Sequence, residues 1–258
     1  MRKVILAIVS AAMVLIIIWQ GYFRNAQVNP LTGKKQYIDL SVHQEVQLGL
    51  QCAPQLASEY GGLFQDRTVQ NKVKKIGNKL LKSTKADVSS YQFDFHVLAD
   101  SLTLNSFALP GGQIFVTAGF LKELKTEDEI AAILSHEIGH VLGRHAAEQL
   151  DGNYLTEILS GSKKEKSLQN ETNKYVVNFL KLDFGEKDER ESDLLAIKYM
   201  SGSGNKAEAL LQIIEMTDKP LKKDSFAKYV QRHPVTVNRT ENVRKAIRKY
   251  KTDQAFKK

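Results

Sequence analysis

The stretch TEDEIAAILSHEIGHVLGRH, residues 126–145, decides how the rest of the chain is read. Thr126 followed three residues later by Glu129 is a capping box: the hydroxyl accepts the Glu129 amide and the carboxylate reaches back to the Thr126 amide. A helix therefore starts here. Ile130, Ile133, Leu134, Ile138 and Val141 recur at helical spacing and turn one of its faces into core. His136 and His140, four residues apart, leave the same face and can hold one zinc ion between them. Glu137 stands about 100° round the helix from His136, beside that ion, where its carboxylate can take a proton from water.

A catalytic zinc takes three protein ligands and keeps one position open. His145 lies nine residues past His136, on the opposite side of a continuing helix, so it is expected to be structural or exposed and not a ligand. A second helix, expected over residues 187–200, carries or adjoins Glu186, Asp188, Glu189, Glu191 and Asp193. Glu189 and Asp193 are an i,i+4 pair that shares a face with Ala196 and Met200. One of them can bind zinc while the other fixes a ligand imidazole through its distal N–H. Spacing does not choose between Glu189 and Glu191.

Working outward, residues 42–60 and 68–82 read as amphipathic helices divided by Gly61-Gly62. Tyr91, Phe93, Phe95 and Val97 alternate with polar residues, which predicts a strand over 91–98. Pro110-Gly111-Gly112 forces a turn, and 113–117 alternates as a second strand. Residues 161–167, GSKKEKS, read as a surface loop, and 206–216 as a further helix. No repeat is visible. The pattern is mostly helical with a small sheet inserted early, an α+β domain.

At the amino end no charge appears between Val4 and Phe23. As a helix this stretch would cross about 30 Å, the thickness of a hydrocarbon core. Trp19, Tyr22 and Phe23 suit an interface, and Arg2 and Lys3 hold the start in the cytoplasm. Residues 1–24 are thus expected to be an uncleaved anchor, with 25–258 as the domain it carries across; a cleaved signal peptide is the alternative.

The composition, 42% hydrophobic and 26% charged over 258 residues, excludes a disordered chain or a multi-span membrane protein. A single cysteine, Cys52, excludes an internal disulfide and a cysteine zinc knuckle. The net charge of +8 belongs to residues 219–258, where 13 Lys and Arg face 3 Asp and Glu, which is +10 and leaves the remainder near −2. That segment suits contact with anionic lipid or a protein. It carries no nucleic-acid motif, so nucleic acid is not an expected partner.

These motifs together resemble the HtpX-like and CAAX-prenyl-protease-like zinc metallopeptidases, especially their single-anchor envelope and mitochondrial Oma-type branch. NPLTGKKQ, residues 29–36, looks like that branch's entry motif, and NSFALPGG, residues 105–112, is similar to the family's NAFAxPGG. HEIGH with Arg144-His145 matches the active-site helix. Glu189 to Asp193 matches ExxxD, with Ser192 where the family usually has Ala, and His233-Pro234 with Arg239 matches HPxxxxR.

The resemblance implies a gluzincin fold with one zinc per chain. It makes Glu189 the third ligand, Asp193 its supporting partner and Glu137 the catalytic base. It further implies that Asn105, Phe107, Ala108, Pro110, Gly111 and Gly112 line the substrate cleft, where a strand edge pairs with an extended peptide. His233 is expected either to donate to an oxyanion, to block the open zinc position, or to be structural, with Arg239 bracing its loop. The expected function is endopeptidase action on unfolded or misassembled envelope proteins, from the periplasmic side of a bacterial inner membrane. A prenylated CAAX peptide is not expected, because one short anchor cannot form an intramembrane chamber. The alternative is an envelope chaperone or assembly factor whose zinc is structural or latent.

Overall fold

Asn29 turns the chain between its first two strands. In the computed structural model, which describes residues 26–84, 88–149, 165–217, 227–236 and 238–255, β1 (Ala26–Val28) pairs antiparallel with β2 (Lys35–Tyr37). Asn29 Oδ1 accepts the Leu31 and Thr32 amides at 2.9 and 3.2 Å, and Gly33 takes a φ of 70° that closes the turn. The NPLTGKKQ connector is therefore a hairpin tip and its second strand. Contacts divide the chain into a unit ending at Asp39 and one of residues 40–258.

The second unit opens with α1 (Val42–Glu59), started by a Ser41/Gln44 capping box, and α2 (Arg67–Ser83), capped by Asp66 through the Thr68 amide at 2.8 Å. The sheet that follows has β3 (Asp94–Leu98), β4 (Ser106–Ala108) and β5 (Gln113–Thr117) in the order β3-β5-β4. β3 runs parallel to β5 with Phe95 opposite Ile114, and β4 runs antiparallel to it with Phe107 opposite Phe115. The strand expected from residue 91 begins only at Asp94, because the Gln92 amide is spent on the Gly111 carbonyl at 2.9 Å. Gly111 and Gly112 sit at φ 79° and 122° and bring the turn against the backbone of α1, where side chains on Gly111 or Gly49 would overlap their neighbours.

After β5 come α3 (Ala118–Glu123), α4 (Glu127–Gly143), α5 (His145–Gln149), α6 (Glu165–Leu180), α7 (Glu186–Gly202), α8 (Glu208–Thr217), α9 (Ala227–Arg232) and α10 (Arg239–Ala255). The capping box of α4 forms as read, with Thr126 Oγ1 accepting the Glu129 amide at 3.2 Å and the Glu129 carboxylate accepting the Thr126 amide at 3.0 Å. Every residue from Ile130 to Gly143 is buried, so α4 is the central helix and not merely a one-faced one. This is a mostly helical α+β domain.

One expectation changes. α6 begins at Glu165, so the loop read over 161–167 gives way to helix from that residue, driven by burial of Tyr175, Val176 and Phe179 further along it; residues 161–164 lie outside the described set. The basic segment is partly packed into the domain: Arg232 and Arg239 are buried, and Val243 and Ile247 dock α10 on α7 and α8. Lys251 pairs with Glu208, and Arg244 with Glu241, so part of its charge is already answered. Among the described residues no helix is long and apolar enough to cross a membrane, and the apolar stretch 4–23 lies outside them.

α4 and α7 touch backbone to backbone. A Cβ on Gly139 would fall 2.6 Å from Ser192 Oγ and 2.9 Å from Ser192 Cα. Gly139→Ala is therefore expected to lower unfolding stability by about 1–3 kcal/mol, despite the better helix propensity of alanine, as read by urea denaturation.

Candidate metal centre

The α4 spacing does bring His136 and His140 together. Their Nε2 atoms lie 3.0 Å apart, both rings at most 2% exposed. α7 supplies Glu189, whose Oε1 is 3.2 Å from His140 Nε2 and whose Oε2 is 3.4 Å from His136 Nε2. His233, just beyond α9, places Nδ1 3.2 Å from His136 Nε2 and 3.0 Å from Glu189 Oε1. These four groups offer donor atoms all within 4.8 Å of one another and can hold a metal ion.

The donors fit such an ion. Facing Nε2 lone pairs repel unless a proton or a cation stands between them. Tetrahedral coordination at zinc–nitrogen lengths separates ligand atoms by about 3.3 Å, and the contacts between the α4 imidazoles and Glu189 run from 3.0 to 3.4 Å. Two imidazoles and a carboxylate are also the nitrogen and oxygen donors that zinc accepts.

Arg239, opening α10, holds the acids. Its Nε and Nη2 donate to the two Asp193 oxygens at 2.9 Å each, while Nη1 meets Glu189 Oε2 at 2.6 Å. Asp193 Oδ1 in turn lies 3.0 Å from His136 Nδ1. Burial would raise both carboxyls. Arg239 is the strongest opposing influence on each, and Glu189 ends well below the usual carboxylate range and Asp193 below it as well. Burial likewise presses His136 down, but Glu189 and Asp193 lift it to about 9, whereas burial keeps His140 well below the usual histidine value.

Glu137 is fully buried beside this cluster. Its Oε1 accepts the Ser106 hydroxyl of β4 at 2.6 Å and lies 3.5 Å from His233 Nε2; its Oε2 is buried with no hydrogen-bond partner. Ser192, the departure from ExxAD, donates to the His136 carbonyl and so ties α7 to α4 at the metal-facing turn. Phe184 stacks on His140 at 4.0 Å, and Tyr229 on His233 at 4.7 Å.

The other nominated residues separate. Asn105 accepts the Ser106 amide at 3.0 Å, Phe107 packs on Tyr60 at 4.9 Å, and Ala108 pairs with Ile114. Pro110 and Gly111 pack under α1, and Gly112 lies against the Gln92 and Phe93 backbone. Glu191 does not join the four-residue cluster; its Oε2 lies 3.0 Å from His145 Nε2. His145 is indeed no member of that cluster, yet it is not on the far side of α4. The helix ends at Gly143, and Arg144 at φ 57° swings the chain back so that His145 Nδ1 meets His140 Nδ1 at 2.9 Å. Glu45 and the Leu40 carbonyl hold Arg144 in that conformation at 2.7 and 2.6 Å.

Sequence reasoning also missed Ser106, though it lies inside the quoted NSFALPGG, and Arg232. Burial lowers the Arg232 guanidinium to about 10; it lies 4.1 Å over the Phe179 ring and bonds the Phe179 carbonyl at 2.6 Å. Nothing local distinguishes it from the other cations of the segment.

Arg239→Gln would leave two buried carboxylates without their cation. The metal-free variant is expected to lose about 3–5 kcal/mol in denaturant unfolding.

Known sequences place this geometry. A model of peptidase family M48 matches residues 67–247. The mitochondrial metalloendopeptidase OMA1 of Schizosaccharomyces pombe is 28% identical over 186 residues, 70% of this chain and 54% of that protein. OMA1 of Arabidopsis thaliana is 30% identical over 131 residues, 51% of this chain and 27% of that protein. The beta-barrel assembly-enhancing protease of Escherichia coli is 26% identical over 152 residues, 58% of this chain and 30% of that protein. The chain spans about half the length of the first of these and less of the others.

Proposed function

The chain belongs to peptidase family M48, and we propose that it is a zinc endopeptidase acting on unfolded or misassembled membrane or envelope proteins. The observation that carries this reading is the buried meeting of His136, His140 and Glu189 with Glu137 alongside. Zinc bound there supplies a Lewis acid that polarises a peptide carbonyl and makes water more acidic.

Glu137 is the base. Ser106 occupies its Oε1, which leaves Oε2, the oxygen without a partner, to accept the proton of the attacking water and later return it to the leaving amine. Asp193 orients His136 through Nδ1, and Arg239 keeps Glu189 ionised and aimed. His233 stands where a fourth donor would. β4 is the edge strand of its sheet, the position at which an extended peptide can pair.

Residues 1–24 serve as the anchor and place the domain on the periplasmic face. The beta-barrel assembly-enhancing protease among the relatives supports an envelope setting, while OMA1 is named as mitochondrial. The same occupancy by His233 favours a second reading, a binding protein for extended chains with a latent zinc.

Cleavage of an unfolded model protein by the zinc-loaded chain separates the two. Wild type is expected to cut, chelation to abolish cutting, Glu137→Gln to slow it by about 10²–10⁴-fold, and His233→Ala to quicken it. Cutting by Glu137→Gln at the wild-type rate would defeat the assignment of the base. Silence from both wild type and His233→Ala would favour the binding protein.

A further inference from the structure

His145 is fully buried and engaged through both ring nitrogens, Nδ1 to His140 Nδ1 at 2.9 Å and Nε2 to Glu191 Oε2 at 3.0 Å. Two facing Nδ1 atoms at that distance share one proton. His140 turns its other nitrogen, Nε2, toward His136 and Glu189 at 3.0 and 3.2 Å, so Nε2 is the atom available to an ion. A neutral imidazole that binds metal through Nε2 carries its proton on Nδ1. His140 is then the donor and His145 the acceptor. The proton of His145 must sit on Nε2, and Glu191 receives it.

We propose that His145 and Glu191 are positioning residues, a hydrogen-bonded line Glu191–His145–His140 that fixes the tautomer and ring plane of a metal-binding imidazole. The inference rests on the metal reading above. It gives the two α4 imidazoles matching support: Asp193 backs His136 directly at 3.0 Å, and Glu191 backs His140 through His145.

The backbone is shaped for this line. Arg144 accepts a left-handed φ of 57° and is held there by Glu45 and Leu40. Gly143 has no side chain where one would overlap the His145 ring, and Phe184 covers the His140 ring at 4.0 Å.

His145, Asp188 and Glu191 also lie close enough to hold a second ion, with His145 Nε2 3.9 Å from Asp188 Oδ1. That ion would need the Nε2 lone pair of His145. The line described here puts a proton on that atom, so with neutral His145 the two arrangements exclude each other.

The test is zinc titration of the full chain against a competing fluorescent chelator. Wild type is expected to show one tight site. His145→Leu should weaken it about 10–100-fold, and His145→Asn, whose Oδ1 can accept where Nδ1 did, should recover most of that loss. Glu191→Ala, at a part-exposed helix position, should weaken binding by about tenfold and covers the case in which His145→Leu does not fold. Nitrogen-15 spectra of the zinc-loaded protein should show His145 protonated at Nε2 and bare at Nδ1.

A folded His145→Leu or Glu191→Ala that binds zinc as wild type does, or a His145 protonated at Nδ1, overturns the inference. A second zinc equivalent that Glu191→Ala removes overturns it in favour of an outer metal site. Failure of wild type itself to bind zinc defeats the metal reading, and this inference falls with it. Loss confined to the variants leaves the metal reading standing and supports the line.

Discussion

The site depends on one guanidinium. Glu189 and Asp193 are almost completely removed from water, and a buried carboxylate without a partner costs several kcal/mol. Arg239 answers both from the first residue of α10, two bonds to Asp193 and one contact to Glu189, and its remaining reach goes to the His233 and Pro234 carbonyls. α7, α10 and the His233 loop are thereby locked by a single side chain. Each acid also keeps an oxygen for a histidine, Glu189 for the Nε2 pair and Asp193 for His136 Nδ1.

That charge arrangement works only if the two helices approach closely enough. Gly139 facing Ser192 permits it, and the Ser192 hydroxyl turns the close approach into a bond by donating to the His136 carbonyl. A helix buried from Ile130 to Gly143 has no face to spare for water, so its polar side chains must find partners within the protein. His136 finds Asp193, His140 finds His145, and Glu137 finds Ser106. Each partner comes from a different element, which is why the small sheet and the short α5 matter to a mainly helical domain.

What was legible in the sequence is what local rules control. The Thr126 capping box, the i,i+4 pairs on α4 and α7, the strand at β5 and the glycine turn before it all follow from spacing within a few residues. The Ser106 contact to Glu137 spans 31 positions and has no local signature. Helical phase carried through Arg144 puts His145 on the wrong side; a non-glycine residue in a left-handed conformation is rare, and here the bonds Arg144 donates to Glu45 and Leu40 enforce it. Arg232 counted only toward the basic segment because charge arithmetic cannot see burial. The choice between Glu189 and Glu191, open by spacing, is made by which face of α7 meets α4 and which meets α5.

The most direct test of the account is anomalous diffraction at the zinc absorption edge from crystals of the zinc-loaded chain. A single peak bounded by His136 Nε2, His140 Nε2 and the Glu189 carboxylate, with Arg239 still on Glu189, is the predicted result. A peak only at His145, Asp188 and Glu191, or none in a folded chain exposed to zinc, would contradict it.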